Sequence, residues 1–404
     1  MSTSKIKWYS SFNTNAPKLD NSWGALVNVL KKCLVEGFGA VQSSSTSFNG
    51  DFLTVTFTED HGFLQHQLVE VSGSGVTSID GLQRISKVID NKQIVLKLNG
   101  NSISNISTTL SIKLPSLGWE LLYDLSNKAV FKSTADNGPN HCLFVQNNLP
   151  TGYTTTWAKF ANLGMAEEYD YDFEPKGLSH PVTWTDLNPK GTGTSMTLGA
   201  NKIFYNVNSS YDLGSSIAPS YGSTNGNVDW YLIGDGSYFY LLNGIKVGST
   251  NMIMTGMGQY DCLHAGFNHN TFLCPMSFDT QAANGTSNMS LDFCSLASTT
   301  RGLKTLASYA DATVKVLNTS SYNGLVNSGS SNILAAAGPT NLFKVYVRDS
   351  RNILMGTLKN IYWLAVQQPY NNRQIFKQGD SIYLAITTYL NNTTCQVVFK
   401  IGEN

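Results

Sequence analysis

The densest chemical pattern in the chain is Glu167-Glu168-Tyr169-Asp170-Tyr171-Asp172-Phe173-Glu174, which alternates strictly from residue 168 to residue 174, acids at even positions and aromatics at odd ones. In a strand, such alternation sets Glu168, Asp170, Asp172 and Glu174 on one face and Tyr169, Tyr171 and Phe173 on the other. Three chemistries fit. The aromatic face can pack on a core and leave an acid stripe to solvent or to a neighbouring subunit. Asp170 and Asp172 are oxygen ligands of the kind calcium takes, although no loop with a central glycine surrounds them. Adjacent same-face acids, about 7 Å apart, also resemble a glycosidase pair, which needs a sugar cleft as well. The pattern alone does not choose among these. The first explains it without further assumptions, so the four acids are carried forward as candidate subunit-contact residues with no catalytic role.

A second cluster, Cys262, His264, His269 and Cys274, holds the two ligand types that zinc prefers, but its C-x-H-x4-H-x4-C spacing matches no standard finger or ribbon. Two strand cysteines flanking a turn explain it without metal. Ser72-Gly73-Ser74-Gly75 lies between short strands instead of at the strand-to-helix turn of a nucleophile elbow, and Gly256-Met257-Gly258 lacks the third glycine of a dinucleotide fingerprint. His61 and His66 flank a turn and read as surface histidines. No cofactor is expected, and no enzyme.

The composition narrows the class further. Of 404 residues 41% are hydrophobic, but only 13% are charged, against roughly 25% in an average soluble protein. Lys plus Arg equal Asp plus Glu at 27 each, so neither nucleic acid nor an anionic membrane is an expected partner. Zero net charge also gives little protection against self-association, which favours a homo-oligomer. Met1 to Ser10 carry two lysines with no apolar run behind them, so no secretory signal is expected and the six cysteines read as reduced thiols. No stretch reaches the roughly 20 apolar residues of a membrane span. Aromatics at 11% on an Asn/Ser-rich background keep a carbohydrate-binding surface in view, although large β proteins also bury aromatics between sheets.

The elements that must position these residues are mostly strands. One helix is predicted near the start, capped at Asp20, Asn21 or Ser22, with Trp23, Leu26, Val27, Leu30, Cys33 and Leu34 at helical spacing and a stop at Gly37. Strands are predicted at 52–57, 67–71, 82–89 and 94–98, completing a small α/β module over residues 1–115. A central aromatic-rich β domain follows over 116–294. Its strands are predicted at 129–132, 142–146 and 155–160, and its clearest hairpin joins 228–233 to 238–242 through Gly234-Asp235-Gly236-Ser237. A C-terminal β domain covers 295–404, with a long Ser/Asn/Gly loop from Asn318 to Gly338. The fold class is mainly β: a small N-terminal α/β module followed by larger β-sandwich-like segments.

The residues also carry a resemblance. Ala16-Pro17, Trp23-Gly24-Ala25-Leu26 and Cys33-Leu34-Val35-Glu36-Gly37-Phe38-Gly39 resemble the opening of a widespread group of tailed-bacteriophage virion structural proteins. Where that group usually has Asp-Ala before the cysteine, this chain has Lys31-Lys32. Gly118-Trp119, Lys128-Ala129-Val130-Phe131, the Trp230 to Asp235 hairpin and Gly379-Asp380 extend the resemblance loosely over most of the chain. It implies a building block of the virion, made in the host cytoplasm and attached to head, neck or tail beside other virion structural proteins. A receptor- or polysaccharide-binding virion protein is the alternative.

Overall fold

The computed structural model describes residues 5–98, 106, 109–150, 153–180, 202–208, 222–250, 252–263, 270–274, 304–305, 315–316, 342–348, 354–364, 369–390 and 393–403. The chain opens with β1 (Lys7–Ser10) and helix α1 (Ala25–Lys31), which continues as a single π turn, Lys32–Glu36. There follow β2 (Phe38–Asn49), β3 (Phe52–Phe57), β4 (Leu68–Ser72), β5 (Gly81–Asp90), β6 (Gln93–Lys97) and β7 (Ser111–Leu114). Next come β8 (Trp119–Leu125), β9 (Lys128–Ser133), β10 (Cys142–Gln146), β11 (Lys159–Asp170), β12 (Glu174–His180) and β13 (Lys202–Asn206). The central run is β14 (Trp230–Asp235), β15 (Tyr238–Asn243), β16 (Ile253–Gln259), β17 (Asp261–Cys262), β18 (Thr271–Cys274) and β19 (Lys304–Thr305). The last strands are β20 (Lys315–Val316), β21 (Leu342–Arg348), β22 (Leu354–Leu364), β23 (Ile375–Gln378), β24 (Ser381–Leu390) and β25 (Thr393–Glu403).

These strands form one closed barrel, in the order β2-β3-β6-β5-β4-β7, and three antiparallel sheets. The first module therefore has six barrel strands, not the four predicted. Of the two missed strands, β7 is only four residues long, and β2 is rich in Ser and Thr and turns few residues inward, so its composition reads as loop. Leu53, Val55, Val69, Ile85, Ile94, Leu96 and Ile112 are fully buried and fill the barrel.

The sheet β1-β14-β15-β16-β18-β19 is covered on both faces. Tyr9, Trp230, Leu232, Phe239 and Leu241 face the helix, the barrel and the β8–β12 sheet. Trp8, Tyr231, Ile233, Tyr238 and Tyr240 face the sheet β20-β21-β22-β25-β24-β23. A strand covered on both sides has no polar face to show, so β15 is buried along its whole length and reads as a continuous apolar run. This layer ties together residues far apart in sequence. Lys7–Ser10, which a division at 115/116 groups with the barrel, pairs with β14, and Lys304–Thr305, which a division at 294/295 groups with the C-terminal strands, pairs with β18.

The helix is held at both ends by other segments. Asp20, Asn21 and Ser22 are not its cap; the N-cap is Gly24, in the left-handed region, with no side-chain cap of its own. Instead the Oδ1 of buried Asn147 accepts from the Gly24 and Leu26 amides at 3.0 and 3.1 Å. At the other end the amides of Leu117 and Gly118 donate to the carbonyls of Cys33 and Leu34 at 2.9 and 3.1 Å. Four orphan groups that the helix cannot satisfy alone are thereby paired.

A second seam joins the barrel to the C-terminal sheet. Arg84 Nη1 donates to the His66 carbonyl at 2.8 Å and to the Ile401 carbonyl at 3.0 Å. Both histidines predicted at the surface, His61 and His66, are buried. His61 accepts from the Phe63 amide at Nδ1, and its Nε2 meets the Asp90 carbonyl at 2.9 Å, an arrangement that suits the neutral ring protonated at Nε2. Burial, then the charges of Lys377 and Arg84, push His66 down to about 4 from its ordinary 6.5. The folded chain thus keeps His66 neutral where the unfolded chain binds a proton. Its contribution is complete above pH 6.5 and is lost as the pH falls through 4, a loss of about 3 kcal/mol at ~1.4 kcal/mol per unit. Urea midpoints measured from pH 7 to pH 4 should fall accordingly, and His66→Gln should flatten that slope. An unchanged slope in the variant would assign the acid lability to another group.

Candidate functional site

The acid-aromatic run does not form one continuous strand. β11 ends at Asp170 and β12 begins at Glu174, so Tyr171, Asp172 and Phe173 make a three-residue hairpin turn. Asp170 pairs with Glu174, Tyr169 with Pro175 and Glu168 with Lys176. The single-face assignment is therefore corrected. Asp172 sits at the turn, and Tyr171 is 86% exposed while Phe173 is 3% exposed. Period-two alternation continues through the turn because nothing in these residue types marks where the strand ends.

Phe173 closes the turn with φ 63, a position of three-residue hairpin loops that glycine usually takes. A bulky residue there costs roughly 1–2 kcal/mol. Burying its ring returns about 1.5–3 kcal/mol, so the side chain holds a conformation that its backbone disfavours. The Phe173 ring lies 5.4 Å from Phe144 and 5.3 Å from Tyr123. From Tyr123 the contacts continue to Tyr169 at 6.1 Å, and from Tyr169 to Tyr171 at 6.2 Å. A tilted and edge-on ladder of rings thus runs from the interior to the exposed tip, a geometry that aromatic pairs prefer. Lys128 Nζ stands 5.2 Å from the Phe173 ring centroid.

The acids divide by role. Asp170 Oδ2 pairs with Lys176 Nζ at 3.0 Å, and Asp170 Oδ1 accepts from the Tyr171 amide at 2.8 Å. The Lys176 hydrogen bond, then the Tyr171 amide, hold the Asp170 carboxyl below the usual range. Both of its oxygens are thus engaged, which leaves the Asp170–Asp172 pair poorly arranged for calcium. Glu168, Asp172 and Glu174 are exposed, and among the described residues none lies within ion-pair distance of a basic side chain. The tip is a preorganised projection of negative charge around one exposed tyrosine. Lys176 and Tyr123, essential to its shape, lack any local sequence signal, because they reach it through strand register and sheet curvature.

Of the other cluster, Cys262 is half-buried on β17 and Cys274 is buried on β18. His264 and His269 lie outside the described residues, as does the Asn318 to Gly338 loop. Among the described residues no group of three or more His, Cys, Asp or Glu side chains is placed to hold a metal ion.

The residues that carry the phage resemblance meet one another around α1. Trp230 Nε1 donates to the Pro17 carbonyl at 3.1 Å, and Trp119 Nε1 donates to the Asp235 carbonyl at 3.3 Å. Leu34 takes the Gly118 amide, and Ala129 and Phe131 share the core with Leu26, Leu34 and Trp230. Gly379 stands apart, in the turn between β23 and β24, with φ 58. No protein-family model matches this chain, and no curated protein matches it either.

Proposed function

We propose that this chain is a non-enzymatic structural component of a tailed bacteriophage virion, assembling as a multimer on head, neck or tail with other virion proteins. The observation that carries the reading is the convergence of the resembling residues on a framework role. Pro17, Trp23, Leu34, Gly118, Trp119 and Trp230 join the helix and its approach to two sheets through main-chain and indole hydrogen bonds. A motif used in this way marks a shared scaffold more than a shared reaction. The exposed position of Glu168, Asp172 and Glu174 on a projecting hairpin agrees with contact, where catalysis by paired carboxylates requires opposed groups and a cleft.

Mass photometry of the purified chain, with labelled imaging of intact particles, tests the reading. The expected result is a discrete multimer in solution and a symmetric set of copies on the particle. A monomer at all concentrations that is absent from particles would overturn it. The exposure of Tyr171 supports the alternative, a receptor- or polysaccharide-binding virion protein. Glycan or cell-envelope binding lost on Tyr171→Ala, with particles that assemble normally, would select that alternative.

A further inference from the structure

Zero net charge conceals a strong internal asymmetry. Residues 1–115 hold 10 basic and 8 acidic side chains, residues 116–294 hold 7 and 15, and residues 295–404 hold 10 and 4, giving +2, −8 and +6. Half of the central excess is concentrated in residues 167–176, where the sequence holds five acids, Glu167, Glu168, Asp170, Asp172 and Glu174, and one base, Lys176. The chain therefore carries its own electrostatic complement, in its C-terminal strands.

Those strands present a suitable surface. The face of the C-terminal sheet turned away from the central layer has a small apolar floor of Leu364, Ala385 and Val398. Half-exposed rings lie over it: Phe376 is stacked between Tyr370 at 4.0 Å and Tyr383 at 5.5 Å, and Tyr362 meets Tyr383 edge-on at 5.7 Å. Lysines flank the rings in register, Lys400 opposite Tyr383 and Lys344 opposite Tyr362. Lys344 is exposed, and Lys400 pairs with the neighbouring Glu403 at 3.0 Å. Aromatic rings rimmed by opposite charge are what a projecting tyrosine among carboxylates would meet favourably, since interfaces favour Tyr at their centre and charge complementarity at their rim.

We propose that the acidic hairpin of one copy docks on the lysine-flanked aromatic face of the C-terminal sheet in the next copy, joining the multimer head to tail. This rests on the multimer reading above and specifies its contact. Two different surfaces meet, so the interface is heterologous and generates a ring when its rotation closes. The hairpin is fixed in advance by the burial of Phe173 and by the Asp170–Lys176 pair, so little ordering remains to oppose docking.

The test uses two charge-reversed full-length chains, Glu168→Lys/Asp172→Lys/Glu174→Lys and Lys344→Glu/Lys400→Glu, each checked for native circular dichroism and measured by sedimentation with the parent chain. Each variant alone should assemble on the order of 100-fold more weakly than the parent, and an equimolar mixture of the two should regain assembly, because each then offers the other an opposite charge. Parent assembly should also weaken as salt rises. A photo-crosslinking residue in place of Tyr171 should give intermolecular products mapping to residues 342–400, a readout that does not depend on the charge variants folding. A parent multimer left intact by both reversals, or crosslinks that map elsewhere, would overturn the contact and leave the multimer reading standing. A monomeric parent would remove both.

Discussion

Asn147→Ala should destabilise the protein by about 3–5 kcal/mol and release the helix before the rest of the chain unfolds. The native side chain hydrogen-bonds four residues inside the protein. Its Oδ1 receives the Gly24 and Leu26 amides at 3.0 and 3.1 Å, and its Nδ2 donates to the Phe160 carbonyl at 2.8 Å and to the Tyr205 hydroxyl at 2.9 Å. Losing a helix cap costs roughly 0.5–2 kcal/mol, and each buried group left without a partner adds about 1–3 kcal/mol. Gly24 keeps the Asn147 main-chain carbonyl and Tyr205 keeps Ser22, so the full sum is not reached. Domains are commonly stable by only about 5–15 kcal/mol, which makes this a large fraction. Hydrogen exchange at residues 24–31 should accelerate more than in the barrel. Asn147→Asp restores the acceptor but sets a carboxylate against the Phe160 carbonyl, so it should regain stability as the pH falls and the acid protonates. A loss under about 1 kcal/mol for the alanine variant, with unchanged exchange in the helix, would show that Asn147 is not its cap.

That same residue marks the limit of what the chain shows before folding. The helix itself is legible, since Leu26, Val27, Leu30, Cys33 and Leu34 recur at its period and are buried as that spacing requires. Its caps are not, because Asn147 lies more than 100 residues downstream and an isolated Asn carries no sign of its target. The hairpin of β14 and β15 is legible through Asp235-Gly236 between apolar runs, and the observed register closes it with Gly236 and Ser237 at the turn. The strand β2 is not, since a twelve-residue barrel strand with an exposed Ser/Thr face looks like a linker. At the acidic hairpin the residue types were visible and the turn was not. Alternation fixes faces only within a strand, and Phe173 in the left-handed region contradicts the preference that a sequence reading relies on. Buried His61 and His66 follow from the closure of the barrel on neighbouring layers, which no local window contains. The charge asymmetry is present in the sequence, but a whole-chain sum of zero averages it away.

Gly37→Ala should be the more damaging of two glycine substitutions that look alike in the sequence. Gly37 has φ 75 and ψ 175, in a region essentially restricted to glycine, where other residues carry about 1–3 kcal/mol of strain. A Cβ there would also stand 2.4 Å from the Leu114 carbonyl oxygen. That oxygen cannot move away cheaply, because Leu114 pairs with Phe38 to close the barrel, and the amides of Leu117 and Gly118, just beyond it, hold the end of the helix. Overlap with fixed backbone adds to the strain, for a total of about 3–5 kcal/mol, beyond most single substitutions. Gly50, at φ 59 with nothing within 4 Å of its added Cβ, carries the conformational cost alone, about 1–2 kcal/mol. Denaturant unfolding of Gly37→Ala and Gly50→Ala should therefore separate them by about 1–4 kcal/mol on these magnitudes, and equal losses would mean that the barrel relaxes around Gly37. The contrast gives the Cys33 to Gly39 stretch a physical reason: its cysteine and leucine supply the carbonyls that anchor the chain leaving the barrel, and its glycine lets the chain entering the barrel pass directly against that exit.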